Sequence, residues 1–304
     1  MPERFGRGPA SFAILSSILN PQSHHWDVGT GVQGYAWGAA RPRAVLLLQH
    51  GFGEYAERYV RQYGALIPRL LAIGLSVYAF DLMGHGRSPG RRAATDVGRA
   101  VADHMAARRN LADQALPVFL FGHSLGGLVT ATSVVREPRG VAGVILSSPA
   151  LHVESNPLTR AFARFVSAVT PILPLVRLDP AGISADPQVV RAFKEDPLVY
   201  HGRMPGRLAA SVLFTARDNW RHYPRWQLPT LVIHGTADAF TDFDGSRRFV
   251  ATIGSSDKTL HVVEGGYHEL LNDATADETM RVVLTWLERR LPAGQTAPPA
   301  AQDS

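Results

Sequence analysis

The sequence predicts an α/β fold: a mostly parallel, doubly wound sheet with an inserted helical cap. Three observations carry this. Short apolar runs, AVLLLQ at 44–49, LSVYAFDL at 75–82, VFLFG at 118–122, VAGVILSSP at 141–149 and TLVIHG at 230–235, alternate with stretches whose apolar residues recur at helical spacing. Several of the runs are apolar almost throughout, as strands covered on both faces must be. Between Ala150 and Trp226 the alternation stops and prolines recur, which marks an insertion.

Taken in order, residues 1–28 read as a flexible lead-in. Arg4 and Arg7 precede SFAILSSIL, which superficially resembles a signal peptide, but a small-x-small cleavage site is missing and the run ends at Asn20 and Pro21. The expectation is a cytoplasmic protein rather than a secreted one. Val32–Trp37 and Ala44–Gln49 read as strands joined by a turn at GAARPR, an antiparallel start to the sheet. Tyr59, Tyr63, Leu66, Ile67, Leu70 and Leu71 then share one helical face before the 75–82 strand, and Asp96–Asp113 forms a helix before the 118–122 strand. Leu128–Val135 continues as helix. The cap spans 151–226, and in it Leu158, Phe162, Phe165, Val166 and Val169 fall at helical spacing. The simplest reading packs that stripe on the body of the protein, with a lipid-contacting face as the alternative. The core, 29–150, resumes at 227–291 with TLVIHG, KTLHVV and a final helix through Val282, Val283, Trp286 and Leu287. The tail 292–304, rich in Ala, Pro and Gln, reads as disordered.

Composition excludes several classes. At 304 residues with 45% hydrophobic and 19% charged side chains, the chain can bury a large core. It has no cysteine, so disulfides, thiolate metal sites and a cysteine nucleophile are ruled out. The longest uncharged apolar stretch, Phe165–Val176, is short and contains Pro171 and Pro174, so no membrane span is expected. The net charge of +5 is spread over scattered arginines without a basic stripe, so no nucleic-acid partner is predicted. Weak attraction to an anionic membrane is compatible with that charge.

Chemistry concentrates at FLFGHSLGGL. Ser124 is flanked at two residues on either side by Gly122 and Gly126, between a strand-like and a helix-like run. A tight strand-to-helix turn lifts the hydroxyl above the sheet and aims the N–H of Leu125, at the helix start, toward an anion beside it. A glycine-rich turn whose serine only caps the helix has the same local signature. The motif is similar to the nucleophile elbow of α/β-hydrolases, in which nucleophile, acid and base follow in the order Ser, Asp or Glu, His, each on a loop after a strand. Asp238 lies just past TLVIHG, and His268 just past TLHVVEGG beside Gly265 and Gly266. Asp242 and Asp244 read instead as caps of the next helix, while His234 and His261 sit within or at the end of strand runs. His85, between Gly84 and Gly86, reads as structural. A second oxyanion donor is expected from the N–H of Phe52 in HGFG, where Gly51 and Gly53 permit close approach. Glu54 and Arg58, four apart, read as an ion pair that fixes this loop.

HGFGEYAERY, the D-x-x-GHGRS stretch from Asp81 to Ser88, GHSLGG, HGTAD and GYHELLN together resemble the monoacylglycerol lipases of the α/β-hydrolase superfamily, from about residue 30 to 291. DPLVYHGRMP, Asp196–Pro205, looks like the bacterial members. The resemblance implies an α/β-hydrolase fold and hydrolysis of a monoacylglycerol to fatty acid and glycerol. Ser124 would attack, His268 would be the base, Asp238 would orient it, and the N–H groups of Phe52 and Leu125 would hold the oxyanion. No metal or organic cofactor is implied, and the cap would form an apolar acyl tunnel with a narrow polar end. Tyr55 departs from the family pattern, which often has histidine there. A lysophospholipase or broad carboxylesterase has the same triad, and a non-catalytic lipid-binding protein on this fold is the alternative of another class.

Overall fold

The computed structural model describes residues 20–293, so the lead-in before Asn20, SFAILSSIL included, and the tail from 294 lie outside the described residues. In chain order come β1 (His24–His25), β2 (Gly34–Trp37), β3 (Ala44–Gln49), α1 (Arg58–Arg61), α2 (Leu66–Ala72), β4 (Leu75–Phe80), α3 (Val97–Ala112), β5 (Val118–His123), α4 (Leu125–Arg136) and β6 (Gly143–Ser147). The insertion contributes α5 (Pro157–Val169), β7 (Pro174–Val176), α6 (Pro187–Glu195), β8 (Met204–Pro205) and α7 (Gly206–Asn219). β9 (Thr230–Gly235), α8 (Phe243–Thr252), β10 (Lys258–Val263) and α9 (Ala276–Glu288) complete the chain.

Eight strands make one sheet in the order β1-β2-β4-β3-β5-β6-β9-β10, parallel from β4 to β10. Neighbouring residues of each central strand face opposite sides, as the two-residue period of a strand requires. Val45, Leu47, Leu120 and Val232 therefore join a core with α3, α4, α7 and α8. Leu46, Leu48, Phe121 and Ile233 join a second with α2 and α9. Each fully buried Leu, Ile or Val in these layers stabilises the fold by roughly 1.5–3 kcal/mol relative to exposure. Side-chain caps set the helix starts: Asp96 accepts the Arg99 N–H of α3 at 2.9 Å, and Asp242 that of Asp244 at 3.0 Å. No described helix is long and apolar enough to cross a membrane.

Three local expectations need correction. β2 is antiparallel to β4 and not to β3, which lies between β4 and β5; alternation identifies a strand but not its partner. The single helix expected from Tyr59 to Leu71 is broken at Tyr63, Gly64 and Ala65, whose φ values are 55°, 59° and 54°. Tyr63 is drawn aside there by its N–H bond to Asn272 and its hydroxyl bond to Glu54. The apolar stripe of α5 does not pack on the body. Leu158, Phe162, Phe165 and Val169 are 81%, 58%, 63% and 59% exposed, and of that stripe only Val166 is buried.

Candidate active site

β5 runs into α4 through Ser124, whose φ of 54° and ψ of −118° lie where a non-glycine residue is strained by about 1–3 kcal/mol. Tight approach makes the flanking glycines necessary. A Cβ on Gly122 would sit 2.5 Å from the Gly126 carbonyl oxygen, and one on Gly126 would collide with the carbonyl oxygens of Gln49 and His50. Gly51 is pressed against the elbow in the same way, since a Cβ there would lie 3.0 Å from that of Ser124. The HGFG loop and the serine are thereby held side by side. Neither the Phe52 nor the Leu125 N–H is donated to a backbone acceptor among the described residues. Leu125 opens α4, whose N-terminal partial positive charge favours an anion.

Asp238 and His268 stand on the loops after β9 and β10, which pair in parallel with Gly235 opposite Val263. His268 Nδ1 lies 2.7 Å from Asp238 Oδ2, and both side chains are almost wholly buried. Burial alone would lower the His268 imidazole, but the Asp238 charge and hydrogen bond outweigh it and raise the net affinity for a proton. Burial likewise works against the Asp238 charge, and His268 with the hydrogen bonds of His234 and His268 overrides it, holding the carboxyl well below its usual range. Ser124, His268 and Phe52 line one cavity of about 570 Å³, its open mouth included, with Leu178, Ile183, Phe193 and Phe240 as apolar wall and His201 as a polar one. Asp238 sits behind His268, and Leu125 turns its side chain into the core. His268 makes no hydrogen bond to Ser124 among the described residues; its ring lies 4.8 Å from that of His123 and 5.0 Å from that of Phe240. Such bonds commonly form only with substrate in place.

The Glu54–Arg58 pair extends further than expected. Arg58 Nη1 lies 3.0 Å from Glu54 and 3.0 Å from Glu269, the residue after His268. Glu54 accepts the Gly51 N–H at 2.7 Å and the hydroxyls of Tyr59 and Tyr63 at 3.0 and 2.9 Å. Burial would raise the Glu269 carboxyl, but the Arg58 charge lowers it below its ordinary value. The loops bearing Phe52 and His268 are thus tied through one buried cation. The sequence places Tyr59 and Tyr63 on an apolar helical face and gives no sign that their hydroxyls bind Glu54; for Glu269 its adjacency to His268 is the available signal. Tyr55, the departure from the pattern, donates its hydroxyl to Asp196 of the insertion at 2.8 Å, and Tyr200 donates its N–H to Gly53 at 2.7 Å. His85 is buried and its imidazole is pushed down to about 3, chiefly by burial.

A parallel sheet with a strained serine elbow after β5, and an acid and a histidine on the loops after β9 and β10, defines an α/β-hydrolase. The chain belongs to the serine aminopeptidase S33 family, whose model matches residues 40–275. It is 33% identical over 264 residues to a monoacylglycerol lipase of Mycolicibacterium smegmatis, covering 82% of this chain and 90% of that one. It is 28% identical over 258 residues to the monoglyceride lipase of Rattus norvegicus, covering 82% and 84%. The crystal structure of a Paleococcus ferrophilus monoacylglycerol lipase superposes with a TM-score of 0.77 at 35% identity, over 85% of this chain and 99% of that one.

Proposed function

We propose that this chain hydrolyses monoacylglycerols to a fatty acid and glycerol, with Ser124 as nucleophile, His268 as base and Asp238 as its orienting partner. The observation that carries the reading is the strained Ser124 facing the cavity that His268 lines, with His268 2.7 Å from Asp238. The substrate class is supported by relatives that match nearly end to end and bear that name. Ser124 Oγ attacks the ester carbonyl carbon while His268 Nε2 takes its proton, and the N–H groups of Phe52 and Leu125 receive the oxyanion. Collapse breaks the bond to glycerol, which leaves with the proton from His268. Water then repeats the sequence on the acyl-enzyme. The cap, 151–226, supplies Leu178, Ile183 and Phe193 as seat for the acyl chain and closes over the two core segments, 29–150 and 227–291. A turnover panel of mono-, di- and triacylglycerols, lysophospholipids and short soluble esters tests this. Monoacylglycerol should be cleaved fastest, and faster cleavage of diacylglycerol or lysophospholipid overturns the substrate assignment.

The same proposal brings the cap to a membrane. The exposed face of α5 offers Leu158, Phe162, Phe165 and Val169, and the chain carries +5. Burying two such phenylalanines in the interface is worth several kcal/mol, roughly 1.5–3 each. The protein should co-sediment with anionic vesicles at low salt, and Phe162→Asp with Phe165→Asp should weaken this at least about tenfold while sparing turnover of a soluble ester. Equal sedimentation of wild type and variant would rule out this contact.

A further inference from the structure

We propose that His234 is a positioning residue for Asp238, holding its proton on Nε2 and presenting it to the same carboxylate oxygen that orients His268. The inference rests on the reading of Asp238 and His268 given above. His234 is the last residue but one of the buried strand β9 and is fully buried. Its Nε2 lies 3.3 Å from Asp238 Oδ2 and 3.3 Å from Thr241 Oγ1, and its Nδ1 lies 2.7 Å from Ser246 Oγ of α8. Asp238 Oδ1 is pinned by its own loop, accepting the N–H groups of Phe240 and Thr241 at 2.8 and 3.1 Å. Oδ2 is left to face the His268 imidazole at 2.7 Å, the Thr241 hydroxyl at 2.8 Å and, further off at 3.3 Å, the His234 imidazole.

Counting protons assigns the tautomer. Thr241 has one hydroxyl hydrogen, and two oxygens compete for it, Asp238 Oδ2 at 2.8 Å and the Ser148 carbonyl at 3.0 Å. If that hydrogen goes to either, His234 Nε2 faces only acceptors, so it must carry a proton itself. The reverse tautomer would spend the Thr241 hydrogen on His234 and leave an unprotonated nitrogen 3.3 Å from a buried carboxylate oxygen. With Nε2 protonated, Nδ1 is the acceptor and the Ser246 hydroxyl supplies its donor, so every group is satisfied. Phe243 meets the His234 ring edge-on at 5.8 Å between centroids, and the nearby Asp242 is paired with His152 at 2.6 Å. On the His268 side the titratable neighbours are Asp238, His123, Glu269 and Glu54.

The consequence is chemical. A His234 N–H at 3.3 Å adds to His268 and the Thr241 hydroxyl around Oδ2, spreads its charge and tempers the hold of Asp238 on an imidazolium at His268. The base acts only when neutral, so kcat/KM falls as pH drops through the His268 pKa, which lies above the ordinary imidazole value. Losing the His234 donor makes Oδ2 more basic, stabilises the protonated base and moves that fall to higher pH.

The test is the pH profile of the full chain on a soluble short-chain ester, for wild type, His234→Leu and His234→Gln, whose amide N–H reaches the Nε2 position. His234→Leu should raise the acid-limb midpoint by roughly half to one unit and lower kcat at neutral pH about tenfold with KM little changed. His234→Gln should restore most of both. An unmoved midpoint in His234→Leu, or equal displacement in both variants, overturns the proposal. If His234→Leu does not fold, nitrogen-15 histidine spectra of the wild type decide: a neutral ring protonated on Nε2 supports it, and one protonated on Nδ1 overturns it. Failure of the triad reading is seen separately, as turnover retained in Ser124→Ala or His268→Ala.

Discussion

Ser124→Ala should lower kcat by about 10⁴- to 10⁶-fold, with the fold intact. The backbone at this position is strained, with φ of 54° and ψ of −118°, and alanine inherits the strain because it too has a Cβ. Only the oxygen is lost. It lies against a cavity, partly exposed, so its removal creates no void in the core, and the thermal midpoint should stay within about 2 °C. What remains is the catalysis that oxyanion donors and substrate binding give on their own, since serine and histidine act as a unit. A fluorophosphonate probe should label the wild type and not the variant. Equal labelling of both would remove Ser124 from the mechanism, and no labelling of either would remove serine catalysis altogether.

Much of this site was legible because each part sits at a punctuation mark. Gly122 and Gly126 announce a turn too tight for side chains, Asp238 follows an apolar run that is a fully buried strand, and His268 follows the half-buried edge strand KTLHVV. The strand-to-loop rule then puts them at one end of the sheet, where the structure brings them within 2.7 Å of each other. What was not legible depends on which surface a residue meets. The α5 stripe shows which residues share a face, but not whether that face turns to the core or to solvent, and the solvent-facing arrangement is the one found. The break at Tyr63–Ala65 follows from bonds to Glu54 and Asn272, one of them 209 residues away. No local periodicity carries that information. His234 illustrates the same limit: its position in HGTAD was plain, but its approach to the Asp238 oxygen that His268 also binds depends on Thr241 and Ser246 folding back over it.

Arg58→Ala should have the largest effect on stability. The guanidinium is buried, with Glu54 and Glu269 each 3.0 Å away, and it lies over the rings of Tyr63 and Phe193, the latter on α6 of the cap. Removing it leaves two buried carboxylates facing each other without a cation, an arrangement that costs about 3–5 kcal/mol and about 10 °C in thermal midpoint for a chain of this size. The pH dependence should also change sign. In the wild type Arg58 holds the Glu269 carboxyl below its unfolded value, so that stabilisation is present above the unfolded pKa and lost as pH falls through the folded one. In the variant the largest opposing group is gone, and burial outweighs the remaining Asn272 hydrogen bond and raises that carboxyl, so stability is instead lost as pH rises through the raised value. Denaturation midpoints measured from pH 5 to 8 should therefore fall with rising pH in Arg58→Ala. Turnover should fall as well, because Glu54 anchors the Gly51 N–H next to Phe52 and Glu269 follows His268. A midpoint within about 2 °C of wild type across that range would mean that the ion triad does not hold the two loops together.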